Sequence, residues 1–221
     1  MIDLSKVQKR TTADIARRIV QDIPDGAHVN LGIGQPMTIS NYLPSDKEIL
    51  LHSENGLLGM GPLAKDHEID EELVNAGKQP VTMLPGASLC HHADSFVMIR
   101  GGHIDICVLG AFQVSVKGDI ANWRTGDPKA IPAVGGAMDL ALGAKKLFVM
   151  MEHLTKSGES KFVKECTYPL TALAAVDCVY TDLATIAITP EGLVAVDWVD
   201  GLSFEDLQTL SDVPMIKGSQ R

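Results

Sequence analysis

Two hydrophobic periods alternate along this chain. In residues 11–23 apolar side chains fall at Ile15, Ile19, Val20 and Ile23, the spacing of one helix face. It predicts an amphipathic opening helix, capped by Thr12 and stopped by Pro24-Asp25-Gly26. Short apolar runs follow at residues 27–31, 48–52, 104–109 and 147–151, and runs of that length bounded by turn residues read as buried strands. The first continues into Gly32-Ile33-Gly34-Gln35-Pro36, after which residues 38–42 start a helix; residues 135–144 read as a glycine turn opening another. Residues 183–188 and 194–199 predict an antiparallel pair around Pro190-Glu191-Gly192. A last helix is expected over residues 203–210, with Ser203 as its cap and Asp206 three positions on. Strands separated by helical intervals predict an α/β fold built on an open, largely parallel sheet with helices on both faces. With 221 residues, no internal repeat and no long linker, one domain spanning residues 1–221 is expected.

Composition narrows the function classes. Apolar residues make up 45% of the chain and charged ones 21%, the usage of an ordinary folded protein rather than a disordered or fibrous one. The net charge of −9 comes with basic residues scattered along the chain, so the electrostatic footprint of a nucleic-acid binder is missing. Residues 1–10 hold no apolar core of a signal peptide, and the later apolar stretches are cut by charge, as at Lys145-Lys146; no membrane span is expected. Cys90, Cys107, Cys166 and Cys178 lie far apart in apolar surroundings, which suits buried thiols in a reducing compartment, the cytoplasm.

Ligands of parallel α/β sheets bind at the carboxyl ends of strands, and Asn30 and Glu54 both follow predicted strands. Taken locally, Ser53-Glu54-Asn55-Gly56 is either a turn beside a solvated acid or a turn that presents a carboxylate for chemistry. The Gly32-x-Gly34 turn lacks the third glycine of a dinucleotide fingerprint. Gly135-Gly136 is either a tight packing turn or a source of backbone N–H groups for an oxyanion. His91 and His92, adjacent in an expected strand, would point to opposite faces; with His103 they complete no metal-ligand spacing, so no metal is expected. Lys78, after Asn75-Ala76-Gly77, reads by itself as a solvated surface lysine.

Several blocks nevertheless occur together: Val29-Asn30-Leu31-Gly32-Ile33-Gly34, His52-Ser53-Glu54-Asn55-Gly56-Leu57-Leu58-Gly59-Met60-Gly61-Pro62, Asn75-Ala76-Gly77-Lys78, Arg100-Gly101-Gly102-His103, Gly118-Asp119-Ile120-Ala121-Asn122-Trp123 and Gly135-Gly136-Ala137-Met138-Asp139-Leu140. In that order they resemble the β subunit of class I 3-oxoacid coenzyme A transferases over nearly the whole chain. The resemblance implies the open α/β sheet that these enzymes share with certain sugar-phosphate isomerases. It implies Glu54 as nucleophile, Gly135 as an oxyanion-hole N–H donor, and Asn30, Gly32, Gly34, Lys78 and Gly136 as residues that contact substrate or coenzyme A. It further implies a coenzyme A thioester as substrate, no permanently bound cofactor, and an α-subunit partner in a heterodimer or its α2β2 doubling. Two rivals have a place beside it: a sugar-phosphate isomerase using the glutamate as a base, and a non-catalytic subunit. Within the family, His91-His92-Ala93-Asp94-Ser95-Phe96, Leu109-Gly110-Ala111-Phe112-Gln113-Val114, Asn122-Trp123-Arg124-Thr125-Gly126 with Ala130-Ile131-Pro132-Ala133, and Tyr180-Thr181-Asp182-Leu183 are similar to the 3-oxoadipate enzymes. Leu58-Gly59-Met60-Gly61-Pro62 is closer to the acetoacetate type. The 3-oxoadipate reading, with succinyl-CoA as donor, makes His91 and His92 candidates to hold the distal carboxylate.

Overall fold

Two segments of chain, Ala16–Gly110 and Gly136–Leu147, build the unit that holds the strand-end residues. The computed structural model describes residue 2, residues 4–127, residue 129 and residues 131–219; Ala130, part of one similar block, lies outside them. Helix α1 (Thr12–Asp22) is followed by strands β1 (His28–Leu31), β2 (Leu50–Ser53), β3 (Leu57–Leu63) and β4 (Val81–Leu89). Helix α2 (His92–Arg100), strand β5 (Ile106–Leu109) and helix α3 (Ala137–Gly143) complete the unit. The expected cap of α1 moves by one residue, to Thr11, whose hydroxyl accepts from Asp14 N–H at 3.2 Å while Thr11 N–H donates to the Asp14 carboxylate at 3.0 Å. The reciprocal box needs an acid three residues after the cap. Asp14 supplies it for Thr11, whereas Thr12 would find Ile15.

Strand order in this unit is β5-β1-β2-β3-β4. The three strands β5, β1 and β2 run parallel in the sheet interior: β5 is buried along its whole length and β1 and β2 along all but their first residue. β2 then turns straight back into β3, and β3 pairs antiparallel with β4 after the loop of residues 64–80. Leu51, Leu57, Ile99, Ile104 and Ile106 are fully buried here, and each contributes about 1.5–3 kcal/mol on leaving water.

The other unit comprises Met1–Ile15, Ala111–Gly135 and Phe148–Arg221. A small sheet carries β6 (Gln113–Ser115), β7 (Ile120–Ala121) and, after β8 (Lys146–Met150), β9 (Phe162–Val163). β10 (Val176–Tyr180), β11 (Ala184–Thr189) and β12 (Gly192–Trp198) form the antiparallel meander that the turn at Pro190-Glu191-Gly192 predicts. Helix α4 (Phe204–Ser211) opens on the expected box, Ser203 accepting from Asp206 N–H at 3.0 Å, and β13 (Met215–Lys217) returns parallel to β12. The sheet is therefore mixed, parallel among β5, β1 and β2 and between β12 and β13, and antiparallel along β2-β3-β4 and β10-β11-β12. Among the described residues no helix is long and apolar enough to cross a membrane.

Candidate active site

The parallel register places three side chains in one row. Asn30 of β1 pairs with His52 of β2 on one side and Cys107 of β5 on the other, so all three project from the same face of the sheet. Beyond His52 the chain makes a tight turn, Gly56 N–H donating to Ser53 C=O at 2.9 Å, and Glu54 occupies its first corner, half-buried. Gly56 is required there: its φ is 113°, and a Cβ would stand 2.2 Å from the carbonyl oxygen of Cys90. No L side chain fits that position.

Asn30 ties the row to the turn. Its Nδ2 donates to His52 Nδ1 at 3.0 Å, to the His52 carbonyl at 3.2 Å and to Glu54 Oε2 at 3.4 Å, while the Cys107 thiol donates to its Oδ1 at 3.8 Å. His52 Nε2 reaches Ser95 Oγ, on the buried side of α2, at 2.8 Å. Asn30, His52, Ser95 and Cys107 are all at most 1% exposed. Burial, with a smaller contribution from His28, lowers the His52 pKa to about 4, so the imidazole is neutral in ordinary buffers. Burial and then the Glu54 charge push the Cys107 thiol well above its usual range. It is a proton donor here and not a thiolate nucleophile.

A loop closes on the turn from the other side. Ser53 Oγ accepts from Ala76 N–H at 3.0 Å, and Asn55 Nδ2 donates to the Val74 carbonyl at 2.7 Å. Asn75 Oδ1 accepts from Gly77 and Gln79 N–H at 2.9 and 3.0 Å, which shapes the loop from within. Its exposed end is Lys78, a non-glycine residue held at φ 61°. Few such residues occur outside functional or tightly tied turns. Gly77 packs where a Cβ would lie 2.6 Å from the Met37 sulfur, in the short three-ten helix Gln35–Tyr42. Asn30, Glu54, Gly34 and Lys78 therefore belong to neighbouring pieces of one unit.

The remaining candidates divide. Gly32 and Gly136 have packing reasons for lacking a side chain: a Cβ on Gly32 would meet Leu109 at 2.8 Å, and one on Gly136 would meet the Phe96 ring at 2.8 Å. Gly34, at φ 95°, and Gly135, at φ 46°, have open space within 4 Å of where a Cβ would stand, so backbone there is accessible. His91 and His92 are not in a strand. β4 ends at Leu89, Cys90 N–H donates to the Gly56 carbonyl, and the His91 ring caps α2 by accepting from Ala93 N–H at 3.1 Å. A histidine that accepts at Nδ1 carries its proton on Nε2, so His91 presents an outward N–H donor at a helix start. His92 stacks on Phe96 with ring centroids 4.8 Å apart. Among the described residues no group of three or more His, Cys, Asp or Glu side chains could hold a metal ion.

Sequence reasoning missed His52, Ser95 and Cys107. His52 and Ser95 stand inside blocks already singled out, and Cys107 inside an apolar run. Only the strand register brings His52 and Cys107 to Asn30, and only the packing of α2 brings Ser95 to His52.

The row therefore sets a half-buried strand-end carboxylate beside a side-chain amide. The coenzyme A transferase family model matches residues 12–200. The chain belongs to that family. It is 61% identical over 95% of its length to one of the subunits of the 3-oxoadipate CoA-transferase of Pseudomonas putida, covering 98% of that protein. To the corresponding subunit of a probable succinyl-CoA:3-ketoacid coenzyme A transferase of Bacillus subtilis it is 44% identical, over 90% of this chain and 92% of that one. In fold it is similar to an acyl-CoA transferase of Escherichia coli O157:H7, with a TM-score of 0.75 at 17% identity over 96% of this chain. This chain spans 42% of the length of that larger one.

Proposed function

We propose that the chain is the β subunit of a 3-oxoadipate CoA-transferase, a single transferase domain that moves coenzyme A from succinyl-CoA to the oxoacid by way of Glu54. The observation that carries this reading is the half-buried Glu54 carboxylate at the end of β2, with the Asn30 amide 3.4 Å from Oε2. A carboxylate is a weak nucleophile, but a thioester carbonyl is activated. One Glu54 oxygen adds to the succinyl carbonyl carbon, the carbon–sulfur bond breaks, and coenzyme A leaves as a thiolate from a glutamyl–succinyl anhydride. The thiolate then adds to the Glu54 carbonyl carbon, and succinate departs with the bridging oxygen. What remains is a Glu54–coenzyme A thioester, and 3-oxoadipate reverses both steps. No net bond energy is lost, so neither ATP nor a resident cofactor is needed.

Each addition develops an oxyanion, and one fixed donor there is worth about 2.7–4 kcal/mol. The Gly135 N–H takes that role in the proposal, supported by its open, positive-φ backbone. Asn30 steadies the nucleophile, and Lys78 and the Gly34 turn engage the coenzyme A thioester. His91 Nε2–H, with His92 beside it, receives the distal carboxylate of the oxoacid. Identity of 61% to a 3-oxoadipate enzyme against 44% to a 3-ketoacid enzyme supports the dicarboxylate. Those relatives are each named as one of several subunits, which supports an α-chain partner with an interface on the order of 2,000 Å² or more. The four thiols support the cytoplasm.

The test is to incubate the enzyme, assembled with its α subunit, with succinyl-CoA and map the adduct. Coenzyme A should appear on the peptide containing Glu54, and Glu54→Gln should lower transfer by more than about 10⁴-fold. Gly135→Val should cost about 10²–10³-fold in turnover. An adduct elsewhere, or a competent Gln variant, overturns the mechanism. Equal use of acetoacetate overturns only the substrate.

A further inference from the structure

Asn30 carries two amide hydrogens, yet three acceptors stand around its nitrogen: His52 Nδ1, the His52 carbonyl and Glu54 Oε2. The carbonyl can only accept, which identifies the atom facing it as nitrogen and leaves Oδ1 to the Cys107 thiol. The same nitrogen lies 3.0 Å from His52 Nδ1, so Nδ1 holds a lone pair and the ring proton is on Nε2, donated to Ser95 Oγ at 2.8 Å. The Asn30 amide, its nitrogen fixed by the His52 carbonyl, thereby sets the tautomer, and Ser95 accepts the proton on the far side of the ring.

We propose that His52 is a positioning residue of the transfer reaction: as a buried acceptor it holds the plane of the Asn30 amide so that one hydrogen is aimed at Glu54. The inference rests on the reading of Glu54 as the group that carries coenzyme A, and deepens it. During turnover Glu54 changes from an anionic carboxylate, a strong acceptor, to a neutral acyl group, a weaker one. An amide with no other partner would then be held only weakly and free to turn away from Glu54. His52 Nδ1 and the His52 carbonyl keep the other hydrogen bonded throughout, so the amide stays in place and its second hydrogen stays aimed at Glu54 through both half-reactions. The ring suits the role because it stays neutral, its burial holding the pKa at about 4; an imidazolium would have no lone pair to offer.

Asparagine and leucine at position 52 separate this role from packing. They have nearly the same shape and both lose the link to Ser95, but asparagine keeps an oxygen acceptor where Nδ1 stood and leucine does not. In the α-assembled enzyme His52→Leu should slow single-turnover formation of the Glu54 thioester by about tenfold with KM for succinyl-CoA unchanged. His52→Asn should restore the rate to within about threefold of wild type. Should the leucine variant fail to fold, Ser95→Ala decides, because it removes the partner that anchors the ring at Nε2 and so loosens the acceptor on Asn30. The proposal expects a several-fold lower kcat at unchanged KM there, with the complex still folded. Equal rates for the Asn and Leu variants, or a wild-type rate for Ser95→Ala, overturn the inference. Absence of any adduct on Glu54 in the wild-type enzyme would instead overturn the reading beneath it.

Discussion

Each unit of this protein buries one histidine, and the two make an instructive pair. His52 and His153 are at most 1% exposed, and burial lowers the pKa of both to about 4. Each is held at both ring nitrogens, His52 by Asn30 and Ser95, His153 by Thr181 Oγ1 at 3.0 Å and Ser211 Oγ at 2.9 Å. The difference lies in where the bonds lead. From His52 they run through a side-chain amide to a half-buried carboxylate at a strand end. From His153 they run toward the backbone: Thr181 Oγ1 lies 3.0 Å from the Ala184 carbonyl and Ser211 Oγ 2.8 Å from the Leu207 carbonyl, one hydroxyl accepting from the neutral ring and the other donating to it, and the His153 backbone N–H donates to Asp182, itself paired with Lys9. His153 thus fastens α4 and the turn after β10 to the end of β8. The two rings share the same burial-driven shift, so the shift by itself does not tell them apart; the hydrogen-bond paths do.

The largest expected effect treats the two histidines alike. A folded-state pKa of about 4 against 6.5 in the unfolded chain means that the unfolded state binds more protons between those values, so stability falls as pH falls through that window. Each ring should cost on the order of 3 kcal/mol by pH 4. Chemical unfolding followed from pH 7 to pH 4 should show the loss, and His52→Asn or His153→Asn should each remove one proton from the slope. A slope unchanged in either variant would break the symmetry.

The next effect separates them. His153→Leu removes the buried ring that links the Thr181 and Ser211 hydroxyls and should destabilise by about 1–3 kcal/mol, while the folded enzyme keeps its turnover and its KM. Turnover loss per folded molecule would show that the second unit's histidine also reaches the chemistry. The smallest effect concerns the exposed histidine. His91→Ala removes a helix cap worth about 1 kcal/mol and, if His91 receives the distal carboxylate, reduces preference for 3-oxoadipate over acetoacetate by about tenfold. Specificity constants for the two oxoacids, measured on the assembled enzyme, decide it; an unchanged ratio leaves His91 with the cap alone.

Elements whose signals are local were already legible along the chain. The apolar runs of β1, β2, β5 and β8, the meander at Pro190-Glu191-Gly192 and the Ser203–Asp206 box follow from spacing and turn chemistry within a few residues. Glu54 was legible too, because a carboxylate between a buried strand and Asn-Gly has a place in the fold before its partners are known. Other features depended on what came from far away in the chain. The histidine pair became a helix start because Cys90 N–H bonds to the distant Gly56 carbonyl and ends the strand there. Gly32 and Gly136 proved to be constrained by Leu109 and Phe96, contacts that no local pattern announces. The supports of Glu54 were least visible of all. Asn30, His52 and Cys107 meet only when three parallel strands adopt one register, and Ser95 only when α2 packs over them. Strand pairing over such separations is a property of the folded sheet, decided by which faces can be buried together.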